Sequence, residues 1–163
     1  FPGTPLPDGA PCPDGDVCNG DERCGAAICR PGTPVVCTDA EACSMDTCAP
    51  ATGCMFPPRT GFDSVSCAIG RGLPACSGAP LPGSVLRRFA AAERLVERGR
   101  SARRRPTQRQ RLKRASATLA RAIRLTVRDT RRGRLPADCS AQVVEALTDV
   151  RDRARLLARS LRR

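Results

Sequence analysis

The chain has 163 residues, a net charge of +12 and 11 cysteines, with four phenylalanines and no histidine, tryptophan or tyrosine. That composition excludes a core built on aromatic rings, leaves burial to Ala, Leu and Val, and removes the commonest general base and metal ligand. Apolar runs fall far short of the roughly 18 residues a spanning helix needs; cysteine this dense belongs to an oxidising compartment, where disulfides compensate for missing apolar area.

The chain starts at Phe1 with no apolar leader, which reads as a mature or excised product of an exported protein. Residues 1–83 hold ten of the 11 cysteines and set four arginines against nine acidic residues, a net of −5. Residues 84–163 hold 24 basic and seven acidic residues, a net of +17. An acidic, loop-rich repeat region over 1–60 and a connector over 61–83 therefore precede a basic tail over 84–163.

The head contains an internal repeat. Cys12, Cys18, Cys24 and Cys29 form one unit and Cys37, Cys43, Cys48 and Cys54 a second, each spanning 18 residues. Between them Arg30-Pro31-Gly32-Thr33-Pro34 reads as a linker with turn chemistry. Four cysteines per unit predict two bridges inside each, in any of three pairings. No C-x2-C knuckle and no histidine supports zinc. Asp14, Asp16, Asp39 and Glu41 supply oxygens that calcium takes, but their spacing is unlike an EF-hand loop, and Asp-Gly pairs are ordinary turn formers.

The second unit, Cys37-Thr-Asp-Ala-Glu-Ala-Cys43-Ser-Met-Asp-Thr-Cys48-Ala-Pro-Ala-Thr-Gly-Cys54, resembles the CDDGNxCTxDTCDPxTGC repeat. That repeat occurs in large secreted bacterial proteins and, as CTDC-type repeats, in slime-mould extracellular-matrix proteins. The first unit, with Asp14-Gly15-Asp16-Val17-Cys18-Asn19-Gly20, is similar to the companion unit that often precedes it. The resemblance covers residues 9–60 and implies an extracellular or cell-surface location rather than an activity. Ala40 and Ala42 depart from it, standing where the family has Gly and a small polar or Pro residue, so the second turn is expected to differ in detail. The basic helical tail is similar to tails of other such proteins and implies no function.

The tail reads as three helices in an up-down-up, all-α bundle. Ser84 caps the first, with Val85, Phe89, Ala92 and Val96 inward and Gly99 near its end. Thr107 and Gln110 make a capping-box pattern for the second, whose inner stripe is Leu112, Ser116, Leu119, Ile123 and Val127, ending at Gly133. The third starts near Pro136 and Asp138 or Ser140, and carries Val143, Leu147, Val150, Ala154, Leu157 and Leu161. That topology places Cys139 near Cys67 and Cys76, with Cys76 the favoured partner, and leaves one of the 11 cysteines over for missing upstream sequence or another molecule.

No serine, thiol or carboxylate stands in a recognisable catalytic pattern, so an enzyme, a cofactor or a small-molecule substrate is not expected. The basic tail carries the functional signal. Arg103, Arg104, Arg105, Arg109, Arg111, Lys113 and Arg114 crowd twelve residues, and Arg121, Arg124, Arg128, Arg131 and Arg132 extend the field. Such density concentrates polyanions and makes binding salt-dependent; guanidinium forks also pair with phosphate, sulfate or carboxylate. The partners that fit are anionic polysaccharide, extracellular DNA, lipopolysaccharide phosphates or an acidic protein surface, although no aromatic residue is interleaved for base stacking. Two other readings stand beside it. An arginine-rich composition and charged outer helix faces also arise without any partner, and the protein also fits a structural subunit or spacer of a fibre or matrix that self-associates through its tail.

Overall fold

The computed structural model describes residues 6–77 and 80–162. The chain divides into two compact units, Phe1–Pro58 and Arg59–Arg163, so the connector segment belongs to the second.

The first unit contains two separate antiparallel hairpins, β1 (Arg23–Gly25) with β2 (Ile28–Arg30) and β3 (Thr47–Ala49) with β4 (Gly53–Met55). Strands three residues long bury little, so covalent bonds do much of the holding. Cys12 bonds Cys29 and Cys37 bonds Cys54, each across 17 residues, while Cys18 bonds Cys48 across 30. Cys43 is buried and also disulfide-bonded.

This pairing corrects two expectations. One bridge closes within each unit, not two, because Cys18 reaches out of its own unit to the next. Cys24, which its spacing assigns to a bridge, carries a free thiol. It lies directly opposite Cys29 in the β1–β2 register, and Cys29 is already taken by Cys12. The linker lies flat against the first unit, and two glycines permit this: a Cβ at Gly20 would stand 2.2 Å from the Thr33 carbonyl oxygen, and one at Gly32 would stand 2.5 Å from that of Asp21.

The second unit has four helices rather than three: α1 (Gly61–Gly70), α2 (Gly83–Arg100), α3 (Arg105–Arg131) and α4 (Ala137–Ser160). α1 buries Val65, Ala68 and Ile69 against α2 and α4, while α3 packs between α2 and α4 on the other side. Each neighbour runs antiparallel to the last. The start of α1 meets the end of α2 at Phe62 and Gly99, and its far end meets mid-α4 through Arg71 and Asp149. The expected up-down-up bundle is thus closed by a short fourth member. Its core is built from small side chains, the largest fully buried ones being Leu112, Leu119, Leu147 and five valines.

Some expectations about helix ends and faces change. Ser84 does not cap α2 but lies inside it, with Pro82 at the N-cap. Thr107 lies inside α3, not at its cap; Arg104 takes that place and Pro106, with φ preset for a first turn, follows. The buried stripe of α3 ends on Thr126 and Asp129, while Val127 is 37% exposed. Fifteen residues after Leu112 is about 60° past four whole turns at 3.6 residues per turn, which carries Val127 off the inner face. Gly99 lies near the end of α2 as expected, buried one position before its last residue, where a Cβ would stand 3.3 Å from that of Arg111. At the other end of α3, Gly133 adopts φ +67°, its N–H bonding the Thr130 carbonyl and that of Arg134 the Asp129 carbonyl; this is a Schellman closure. Cys76 bonds Cys139 at the start of α4.

Candidate anion-binding groove

The twelve basic residues singled out along the sequence do not gather in one place. Arg103 and Arg104 precede α3 and Arg105 opens it, all three exposed, with no acidic side chain in that first turn. Positive charge there opposes the helix dipole. Arg109 is half-buried, with an Nε that has no hydrogen-bond partner among the described residues. Arg111 packs beside Gly99. Arg114, Arg121, Arg124, Arg128 and Arg131 project from α3 into solvent, and Arg132 is its C-cap residue. Lys113 is the member of the set that meets basic residues of another helix across a common hollow.

That hollow is a groove of about 390 Å³ between α3 and α4. Lys113 stands on the α3 side and Arg151, Arg155, Arg159 and Arg162 on the α4 side, above a floor of Ser116, Ala117, Ala120 and Ala158. The small floor residues let a ligand approach the helix backbones, and the long basic side chains form the walls. Arg151, Arg155 and Arg159 recur every fourth residue, so their Cα atoms climb the helix in steps of about 6 Å. This gives a ladder of charge along one line rather than a cup.

Neighbouring acids sort the arginines of α4 into two sets. Arg153 faces α1: its Nε bonds Asp149 at 2.7 Å and its Nη1 bonds the Ser64 hydroxyl at 2.7 Å. Asp149 also accepts Arg71 at 2.5 Å, so both arginines on that side are engaged by one carboxylate. On the groove side Arg151 makes a two-point contact with Asp152, at 2.8 and 3.1 Å. The bond from Arg151 holds the Asp152 carboxyl below its ordinary range, its slight burial opposes that weakly, and the charges of Arg151, Arg155 and Arg159 add to the lowering. The Arg151 guanidinium is held correspondingly above its own ordinary value. Arg155, Arg159 and Arg162 are exposed and form no ion pair among the described residues that would compete with a ligand. A second hollow, between α2 and α3, brings Arg87 and Arg88 beside Thr118.

Sequence reasoning missed Arg151, Arg155, Arg159 and Arg162 because it followed linear charge density, which Asp149 and Asp152 dilute in α4. The fourfold spacing of three arginines on the flank of the clearest apolar stripe was the available signal.

The turn aspartates of the head serve their own backbone. Asp14 accepts the Asp16 N–H at 2.7 Å, Asp16 that of Cys18 at 2.9 Å, and Asp39 that of Glu41 at 2.8 Å. Among the described residues no group of three or more Cys, Asp or Glu side chains is arranged to hold a metal ion, and no helix is long and apolar enough to cross a membrane. No family model, curated protein or solved structure matches the chain.

Proposed function

We propose that the chain is a non-enzymatic extracellular binding module whose helical unit holds a linear polyanion in the α3–α4 groove. The observation that carries this reading is the ladder of Arg151, Arg155, Arg159 and Arg162 facing Lys113 over a floor of Ser116 and three alanines. A line of cations suits a strand of repeated anionic groups, and guanidinium forks suit sulfate, carboxylate or phosphate. Without aromatic side chains in the groove, single-stranded nucleic acid lacks its stacking platform, which favours an anionic polysaccharide. The disulfides and the repeat resemblance support the extracellular setting.

The test is a salt titration of binding to heparin as a sulfated polysaccharide. Reversing two rungs, Arg155→Glu with Arg159→Glu, is expected to weaken binding more than tenfold and lower the log–log salt slope by roughly two, about one per lost contact. Reversing Arg121 and Arg124 on the outward face of α3 changes net charge equally and is expected to cost much less. Equal losses from both pairs would assign binding to the diffuse field and overturn the groove.

A second reading, a structural piece of an extracellular assembly, is favoured by one observation that the groove does not explain: the free thiol of Cys24.

A further inference from the structure

The two four-cysteine units have the same internal plan. In each, the first cysteine bonds the fourth across 17 residues: Cys12 to Cys29, Cys37 to Cys54. In each, the third cysteine stands directly opposite the fourth across a hairpin, Cys24 facing Cys29 and Cys48 facing Cys54. The fourth cysteine is therefore occupied, and so is the second, Cys18 by Cys48 and Cys43 by a further disulfide, so the third has no partner left in its own unit. In the second unit it finds one outside: Cys48 bonds Cys18, the second cysteine of the unit before it. Cys24 occupies the same place on β1 that Cys48 occupies on β3, half-buried in both, and its thiol is free.

The contacts around the Cys18–Cys48 bond show what such a junction uses. Val17, beside Cys18, donates its N–H to the Pro50 carbonyl at 2.9 Å, and its Cγ2 lies 3.7 Å from where a Cβ at Gly53 would stand. Gly53 faces the residue after the third cysteine, Ala49. Its counterpart in the first hairpin is Ile28, which faces Gly25 and is 64% exposed. The first hairpin thus shows an uncovered aliphatic side chain beside a free thiol, at the place where the second hairpin receives its neighbour. The backbone edge of β1 is not open: Gly9 donates to the Cys24 carbonyl and Cys24 donates to the Ala10 carbonyl. An incoming unit meets Cys24 through side chains, not by adding a strand.

We infer that Cys24 is the linkage site for the second cysteine of a further four-cysteine unit, so that units join in series, second cysteine to third. The partner is a repeat of this same chemistry, whether on the same polypeptide or on another. Two thiols are oxidised to one disulfide while a low-molecular-weight disulfide such as oxidised glutathione is reduced to two thiols, the two protons passing to the leaving thiolates. The inference is independent of anion binding: the groove can fail with the linkage intact, and the reverse.

The experiment uses the full chain. A donor variant, Cys24→Ser/Cys48→Ser, frees Cys18 as a second-position thiol, and the unmodified chain offers Cys24. The two are mixed in equal amounts in a glutathione redox buffer and the dimers mapped by mass spectrometry without reduction. Random pairing makes half of the dimers mixed; the expected result is a Cys24–Cys18 dimer well above half. A control donor, Cys24→Ser/Cys29→Ser, frees the first-position Cys12 and is expected to stay at the random share. Random pairing with the Cys18 donor, or equal enrichment with the Cys12 donor, overturns the inference. If either donor loses its remaining bridges, the deciding measurement is the peptide map of the protein as secreted by its own cells. Cys24 bonded to the second cysteine of a four-cysteine unit supports the linkage; Cys24 as a free thiol, a glutathione adduct or a Cys24–Cys24 dimer overturns it.

Discussion

Cys76 and Cys139 are bonded with their Cα atoms 5.5 Å apart although 63 residues separate them in sequence, which ties the start of α4 to the segment that leads into α2. The loop they close contains all of α2 and α3. By the chain-entropy account, closing a loop of that length stabilises the folded state by about 4 kcal/mol. Replacing both cysteines by serine is expected to lower the guanidinium midpoint of the helical unit accordingly, while circular dichroism still shows native helix content without denaturant. A loss under about 1 kcal/mol would mean that the bundle holds its ends together without the bond.

How much of this was legible in the sequence differs from helix to helix, for physical reasons. α4 could be read because Val143, Leu147, Val150 and Ala154 alternate steps of four and three and all are buried. The stripe of α3 was readable at Leu112 and Leu119 but drifted off the inner face by Val127, since errors of phase accumulate along 27 residues. α1 is ten residues long, begins and ends on glycine, and contains Asp63, Ser64 and Ser66, so propensity argued for a connector. Tertiary burial of Val65, Ala68 and Ile69 overrides that. Disulfide partners depend on how two hairpins meet, which spacing within one unit does not encode; hence Cys18–Cys48 was not foreseen and Cys24 was misassigned.

The phase error in α3 has an energetic counterpart. Leu119 is fully buried and Val127 is 37% exposed. Leu119→Ala opens a cavity in a core with few large side chains and is expected to cost about 2–5 kcal/mol. Val127→Ala is expected to change stability by no more than about 0.5 kcal/mol, as surface substitutions do. Denaturant unfolding of both variants checks the assignment; comparable losses would place Val127 back on the inner face.

The loop between β1 and β2 consists of Ala26 and Ala27, with φ of +52° and +62°. Two-residue hairpin loops of this hand favour Asn-Gly, because a Cβ in the left-handed region costs roughly 1–2 kcal/mol. Ala26→Asn/Ala27→Gly is therefore expected to stabilise the first hairpin by about 1 kcal/mol, after glycine's entropy loss on folding. Hydrogen exchange of the β1 and β2 amides is expected to slow by about fivefold. Unchanged or faster exchange would show that the Asp8 carboxylate, which accepts the Ala26 N–H at 2.8 Å, already compensates for the strain.

Asp152 sets the pH dependence of the groove. Its carboxyl is held below the ordinary range first by the hydrogen bond from Arg151, with the Arg151, Arg155 and Arg159 charges adding. A carboxyl depressed in the folded state contributes stability that is present above its unfolded value, near 4, and lost as pH falls through the lower folded value. Half of the Asp152 side chain is exposed, so solvent screens this contribution and stability is expected to change little. Ligand binding responds in the opposite direction. Protonating Asp152 releases Arg151 to the groove, so affinity for a sulfated polysaccharide, whose charge persists in acid, is expected to rise as pH drops through that window. Affinity for a carboxylated polysaccharide is expected to fall there, because the ligand itself loses charge. Asp152→Asn is expected to raise affinity for heparin at neutral pH by up to about fivefold, the equivalent of an exposed ion pair, and to abolish the acid-side increase. Titrations of both proteins against heparin between pH 3 and 7 check this; an identical acid response in the variant would assign the effect to groups outside the groove.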